Sequence, residues 1–285
     1  MDLEKLAGRI KDLPTLPVVI NKIITLVENP KTSAADLAGV VSRDPALTAK
    51  ILSVVNSAFY GFPRKIATIS HAVMILGFGD IKNIALSVSV FDMFKKGRKN
   101  PGMNVEDFWK HSIGTGVCSR QLGKRVKYPE AEEAFIAGLL HDVGKIVFLQ
   151  YLADEYHDVL SLAREEKIWI RDAEMRVLDG SDHCELGGLI AEKWKLPYRL
   201  VKVMKFHHEP TDSGDDIDML TALVHAGDIF ARARRIGDGG DGNFVPSLHK
   251  EVWYKLKIGA SELNKIYEEL EEEMKKTEEF LELAK

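Results

Sequence analysis

Along most of this chain apolar residues recur at steps of three and four, and strict alternation is short-lived. That period is the one an α-helix shows to a core. Ser33 with Asp36 reads as a capping box ahead of Leu37, Val40 and Val41. Asp44-Pro45 opens the next helix, with Asp as N-cap and Pro at the first helical position, where its missing N–H costs nothing. That helix carries Leu47, Ile51, Leu52, Val55 and Phe59, and Gly61-Phe62-Pro63 is its expected stop. Ser70 and Asp80 read as further caps on either side of a break at Gly77-Phe78-Gly79. Residues 86–90 alternate like a strand, but the helical pattern begins at Ile81 and continues to Phe94, so a helix is expected there too. From Ser261 to Lys285 the pattern predicts one charged amphipathic helix. Leu263, Tyr267, Leu270, Met274 and Leu281 form its short heptad seam, laid back on its own domain.

The fold class is therefore all-α. Residues 95–102 are polar, basic and rich in helix breakers, which makes them the expected boundary. Three segments follow: an N-terminal helical half (1–97), a second helical half (103–236) and a C-terminal helical extension (244–285). Residues 211–216 form an acidic loop. Residues 237–242 form a Gly/Asp loop whose spacing matches no calcium site. A chain of 285 residues can bury a substantial core. Its 45% hydrophobic and 29% charged composition is that of an ordinary globular protein. A net charge of −4 gives no footprint for nucleic acid. The helix–break–helix at 70–94 lacks the basic side chains a DNA reader needs. No apolar run is expected to span a membrane and no signal-peptide core is seen, so a cytoplasmic location is expected. Cys118 and Cys184 lack metal-ligand spacing and read as small core residues.

The chemistry concentrates in the second half. His141 and Asp142 are flanked on both sides by apolar residues, 135–140 and then Val143. A buried carboxylate needs a cation, a donor or a metal. Imidazole beside carboxylate suits a divalent ion, although a hydrogen-bonded pair pinning two helices together would satisfy the same pattern. Two adjacent residues do not complete a coordination sphere. Further candidates are His111, His183, the pair His207-His208, and Asp228, each in or at the edge of a helical pattern. Lys145 stands three residues after Asp142, on a neighbouring face of the same helix, placed to hold a phosphate or Asp142 itself.

The order His111, His141-Asp142, Asp228 resembles the HD superfamily of metal-dependent phosphohydrolases. The N-terminal half narrows this. Leu13-Pro14-Thr15-Leu16-Pro17, Asp44-Pro45-Ala46-Leu47, Asn56-Ser57-Ala58-Phe59-Tyr60-Gly61 and the run from His71 to Gly77 resemble the HDOD family, the HD-related output domains of bacterial signalling. The resemblance runs from Leu6 to roughly Pro210, with Asp228 just beyond. It implies a multi-helix HD-type bundle with an additional N-terminal helical subdomain. It also implies one or two divalent ions (Fe, Mn, Zn, Mg or Ni) held by His111, His141, Asp142 and Asp228, with His183, His207 and His208 for a second. Regulation through signalling protein partners is the expected function. The alternative is a metal-dependent phosphohydrolase or phosphodiesterase acting on a nucleotide or other phosphoester, with Asp142 and Lys145 as its catalytic groups. The Gly-Tyr-Pro motif of the cyclic-di-GMP phosphodiesterases is absent after His207-His208, which argues against that substrate.

Overall fold

Reciprocal capping sets the first helix boundaries. The Ser33 hydroxyl accepts from the backbone N–H of Asp36, and the Asp36 carboxylate accepts from the backbone N–H of Ser33 at 2.9 Å. Asp44 caps the following helix through the N–H of Leu47 at 3.0 Å, with Pro45 at the first position. The computed structural model describes residues 14–94, 102–214, 216–240, 242, 244–277 and 280–282. Helices and turns make up all of its regular structure, with no strand among these residues. Most of the expected boundary at 95–102, along with Leu13, Asp215 and Asp241, lies outside the described residues.

The chain divides into two compact units, Thr15–Lys96 with Glu271–Lys285, and Gly97–Leu270 with Met1–Pro14. The first holds α1 (Val18–Glu28), α2 (Ala34–Val41), α3 (Pro45–Val55), α4 (Ile69–Leu76) and α5 (Phe78–Phe94). Helix α3 stops at Val55, short of the expected glycine. Asn56 ends it by donating to the carbonyls of Leu52 (2.7 Å) and Ile66 (2.8 Å) and accepting from Ile66 N–H (2.7 Å). Thr68 caps α4, not Ser70: its hydroxyl accepts from His71 N–H. Residues 86–90 are helical. They are buried on every side of α5, so no polar face marks the period, which is why they mimic alternation.

The second unit holds α6 (Val105–Arg125), α7 (Ala131–Leu140), α8 (Val143–Tyr151), α9 (Ala153–Glu166), α10 (Ile170–Val177), α11 (His183–Lys193), α12 (Tyr198–Phe206), α13 (Met219–Ala233), α14 (Lys250–Leu256) and most of α15 (Leu263–Met274). The stretch Ala131–Tyr151 is long and apolar enough to cross a bilayer by composition, contrary to expectation. It is broken at His141-Asp142 and 89% buried in the core. Helix α15 also differs from expectation. It ends at Met274, and the chain turns at 275–277, where the buried Thr277 hydroxyl donates to Met274 O at 2.7 Å. Its buried residues are Ile266 and Leu270, one turn apart, so no continuous heptad seam forms.

Glycines let the central helices touch backbone to backbone. A Cβ on Gly138 of α7 would lie 2.7 Å from the Gly116 Cα of α6. A Cβ on Gly144 of α8 would lie 2.1 Å from the His183 carbonyl oxygen at the start of α11. Gly144→Ala must therefore push α8 and α11 apart. It is expected to lower stability by about 1–3 kcal/mol despite alanine's better helix propensity. Gly39→Ala, on an exposed face of α2 with nothing within 4 Å, is expected to raise stability by up to about 1 kcal/mol. Urea denaturation of the two variants checks the opposite signs.

Candidate metal centre

Six helices deliver the side chains to one place. His111 lies in α6. His141 and Asp142 form the buried corner between α7 and α8, with Lys145 one turn into α8. His183 opens α11, His207 and His208 follow the end of α12, and Asp228 lies in α13. All eight residues are at most 5% exposed. Every site residue expected from the sequence is brought to this cluster, while His71 and His157 are exposed.

Asp142 sits between two groups of imidazoles. Its Oδ2 faces His141 Nε2 (3.2 Å) and His111 Nε2 (3.9 Å), and its Oδ1 faces His183 Nε2 (3.3 Å) and His207 Nε2 (3.5 Å). Asp228 Oδ1 closes the first group, 2.9 Å from His111 Nε2 and 3.7 Å from His141 Nε2. His208 joins the second, its Nε2 lying 3.0 Å from that of His183. Cys184 Sγ stands 3.5 Å from His183 Nε2 and 3.9 Å from His207 Nε2.

The outer ring nitrogens fix the tautomers. Nδ1–H of His141 donates to Gly138 O at 2.6 Å, that of His207 to Val203 O at 3.1 Å, and that of His183 to Glu174 Oε2 at 2.6 Å. Glu174 is itself buried and accepts from the Tyr156 hydroxyl at 2.8 Å. When these rings are neutral, as metal binding requires, donation at Nδ1 leaves a lone pair at each Nε2, and each ring is held by an outer partner as in protein metal sites. His111 Nε2, His141 Nε2 and Asp142 Oδ1 are buried and make no well-aligned hydrogen bond, although Asp228 Oδ1 stands 2.9 Å from His111 Nε2. Ring nitrogens and carboxylate oxygens that converge in a dry interior need positive charge between them, protons in the metal-free protein or a divalent cation in their place. The residues present therefore fit such an ion. Three overlapping sets have the required proximity: His111, His141 and Asp228; His141, Asp142 and His207; and His183, Cys184, His207 and His208.

The model of the HDOD domain matches residues 13–210. The chain belongs to the HDOD family. Among curated proteins, this HDOD chain is 27% identical over 222 residues to an uncharacterized protein of Treponema pallidum (strain Nichols), covering 77% of the chain and 42% of that protein. It is 27% identical over 128 residues to the uncharacterized protein YuxH of Bacillus subtilis (strain 168), covering 42% of the chain and 30% of that protein. The chain thus spans less than half the length of these curated relatives. Two solved structures share the fold. One is an HDOD domain protein of unknown function from Geobacter sulfurreducens (TM-score 0.72, 24% identity, 95% of this chain and 99% of that one). The other is a candidate signal transduction protein from Marinobacter aquaeolei (TM-score 0.76, 23% identity, 99% of this chain and 65% of that one).

Two cations already lie against the carboxylates of this HDOD centre. Lys145 Nζ donates to Asp142 Oδ2 at 2.8 Å, and Arg232 Nε donates to Asp228 Oδ1 at 2.7 Å. Burial alone would raise both carboxyls. His141 and Lys145 outweigh it at Asp142, and Arg232 and His111 outweigh it at Asp228, so both are held well below the usual carboxylate range. Burial lowers the His141 imidazole, but Asp142 and Asp228 more than compensate and hold it up to about 9. Without a metal, a proton stands on His141. Burial pushes His207 down to about 4, and it pushes His208 well below the histidine range with help from His207 and His183. A cavity of about 400 Å³ reaches His111, lined also by Arg232, Arg235, Gly237, Asp238 and Gly239.

Cys184, Glu174 and Arg232 escaped the sequence reading. Arg232 was within reach of it, since four residues on a helix place it over Asp228. Cys184 lies beside His183 but has no second cysteine at ligand spacing. Glu174, nine residues upstream of His183 on another helix, carries no local signal.

Proposed function

We propose that this chain is a regulatory HDOD module of bacterial cytoplasmic signalling, acting through protein partners, with a divalent metal centre as its structural or sensory core. His111, His141, Asp142 and Asp228 would hold one ion, and His183, His207 and His208 a second, with Asp142 between them. The imidazole-rich donor set favours Fe, Mn, Zn or Ni over Mg, which prefers oxygen ligands. The observation that carries the regulatory reading is enclosure. The donors are at most 5% exposed, and both carboxylates already have a protein cation. Closed sites suit structural metals, whereas catalytic sites keep an open position.

The cavity at His111 favours a second reading, a metal-dependent phosphohydrolase. A bound ion would supply Lewis acidity towards a phosphoryl oxygen. Arg232 and Arg235 would offset phosphate charge, and Lys145 would hold Asp142 ionised. The test has two parts. Elemental analysis is expected to find at least one divalent ion per wild-type chain and far less in His141→Ala/Asp142→Ala. Cyclic dinucleotides, cyclic mononucleotides and a generic phosphodiester are then assayed with Mn²⁺, Fe²⁺ and Zn²⁺, with Asp142→Ala as blank. No turnover is expected. Metal-dependent turnover that vanishes in the blank replaces the regulatory reading with the hydrolytic one.

A further inference from the structure

The two groups flanking Asp142 differ in chemistry. The first offers two imidazoles and two carboxylates, from His111, His141, Asp142 and Asp228. The second offers three imidazoles and a sulfur, from His183, His207, His208 and Cys184. We propose that Cys184 is a metal ligand, bound as thiolate, and that with His183, His207 and His208 it forms a soft, zinc-class site beside the harder His/Asp site. The proposal rests on the metal-centre reading above and adds to it a ligand and a division of metal preference.

The spacing suits this assignment. In a tetrahedral site with Zn–N near 2.05 Å and Zn–S near 2.3 Å, ligand atoms stand about 3.3 Å apart for N–N and about 3.6 Å for S–N. The observed separations are 3.0 Å between His183 Nε2 and His208 Nε2, 3.5 Å between Cys184 Sγ and His183 Nε2, and 3.9 Å between Cys184 Sγ and His207 Nε2. Two further observations point to a ligand there. Asp142 Oδ1, buried and without a hydrogen-bond partner, faces His183 and His207. Glu174 holds the His183 ring from outside, the carboxylate–histidine arrangement that orients a metal-bound imidazole. Cys184 is the second residue of α11, whose start is capped by Asp182 accepting from Glu185 N–H at 2.9 Å. Burial pushes the Cys184 thiol up to about 11, so its proton leaves only in exchange for the metal. Binding exchanges one S–H bond for one S–metal bond, and the displaced proton goes to solvent. Thiolate with imidazole selects zinc-class ions, whereas two carboxylates favour harder ones.

Cobalt(II) is the probe. The full-length metal-free protein is titrated with Co²⁺ without oxygen and followed by absorption and by dialysis stoichiometry. The expected result is a near-ultraviolet thiolate-to-cobalt charge-transfer band with intense visible bands of tetrahedral Co²⁺. The band should be lost in Cys184→Ser, kept in Cys118→Ser and displaced by Zn²⁺. Zinc X-ray absorption on the wild type gives the same answer without a variant, through a sulfur scatterer near 2.3 Å in place of nitrogen or oxygen alone near 2.0 Å. Co²⁺ bound without the band, the band surviving in Cys184→Ser, or zinc without a sulfur scatterer overturns the thiolate assignment and leaves the His/Asp centre standing. Failure of the wild type to bind Co²⁺ or Zn²⁺ overturns both.

Discussion

Asp142→Ala is expected to destabilise the metal-free protein by about 3–5 kcal/mol, the cost of taking a carboxylate away from a buried ammonium. Lys145 is fully buried, and Asp142 Oδ2 is 2.8 Å from its ammonium. The same carboxylate offsets the proton on His141 and faces Arg232 Nη2 at 3.8 Å. Its removal leaves a surplus of positive charge in a dry interior, since only Asp228 remains among the site's two aspartates. The lost packing of one small side chain is a lesser effect. The two causes separate in a second variant. Asp142→Ala/Lys145→Met removes the stranded ammonium and keeps a long apolar stem, so it should recover more than half of the loss, a coupling expected between touching residues. Urea denaturation in EDTA measures both. A loss below about 1 kcal/mol, or a double variant no better than the single, would show that Lys145 finds water or another acceptor when Asp142 is absent.

The helical class and the cluster were legible in the sequence because both depend on local signals. Capping residues at Ser33 and Asp44 act within three residues, and the apolar run on both sides of His141-Asp142 marks a buried corner by itself. The histidines and Asp228 were identified by residue type and order, and the fold gathers them because glycines allow α6, α7, α8 and α11 to meet at backbone distance. What stayed hidden depends on neighbours distant in the chain. Glu174 has meaning only once α10 lies against the start of α11. Cys184 looked inert because metal-site cysteines are sought in pairs, whereas here imidazoles from two helices surround a single sulfur. The end of α15 was misjudged because its seam residues do not share one environment: Ile266, outside the seam, is buried, whereas Tyr267 and Met274 are only partly covered.

Stability of the metal-free protein is expected to peak between about pH 6 and 7, near the unfolded histidine value of about 6.5, and to fall on both sides. On the acid side the cause is histidines that burial keeps neutral: His207 down to about 4, with His208 and His111 also lowered. Their folded values lie below the unfolded one, so the unfolded chain binds more protons as pH falls through that window. Their contribution is complete above the unfolded value and is lost as pH falls towards the folded one. For His207, a folded value of about 4 corresponds to roughly 3 kcal/mol. On the alkaline side His141 acts in the opposite sense. Its folded value of about 9 lies above the unfolded one, so its contribution is complete below about 6.5 and is lost as pH rises through 9. Burial lowers His183, but the Glu174 and Asp142 carboxylates against it hold it above the histidine range, and it adds to this limb. Asp142 and Asp228, held well below the usual carboxylate range, change stability only at more acidic pH. A divalent ion takes the place of the proton on His141, so metal-loaded protein should keep its stability from pH 7 to 9 while the EDTA-treated protein loses it. Urea midpoints at half-unit steps from pH 4.5 to 9, with and without Zn²⁺ or Mn²⁺, read both limbs. A metal-free curve that keeps rising from pH 6.5 to 9 would mean that His141 is neutral in the folded chain, and its imidazole would then have to draw a hydrogen bond from Lys145 or Arg232.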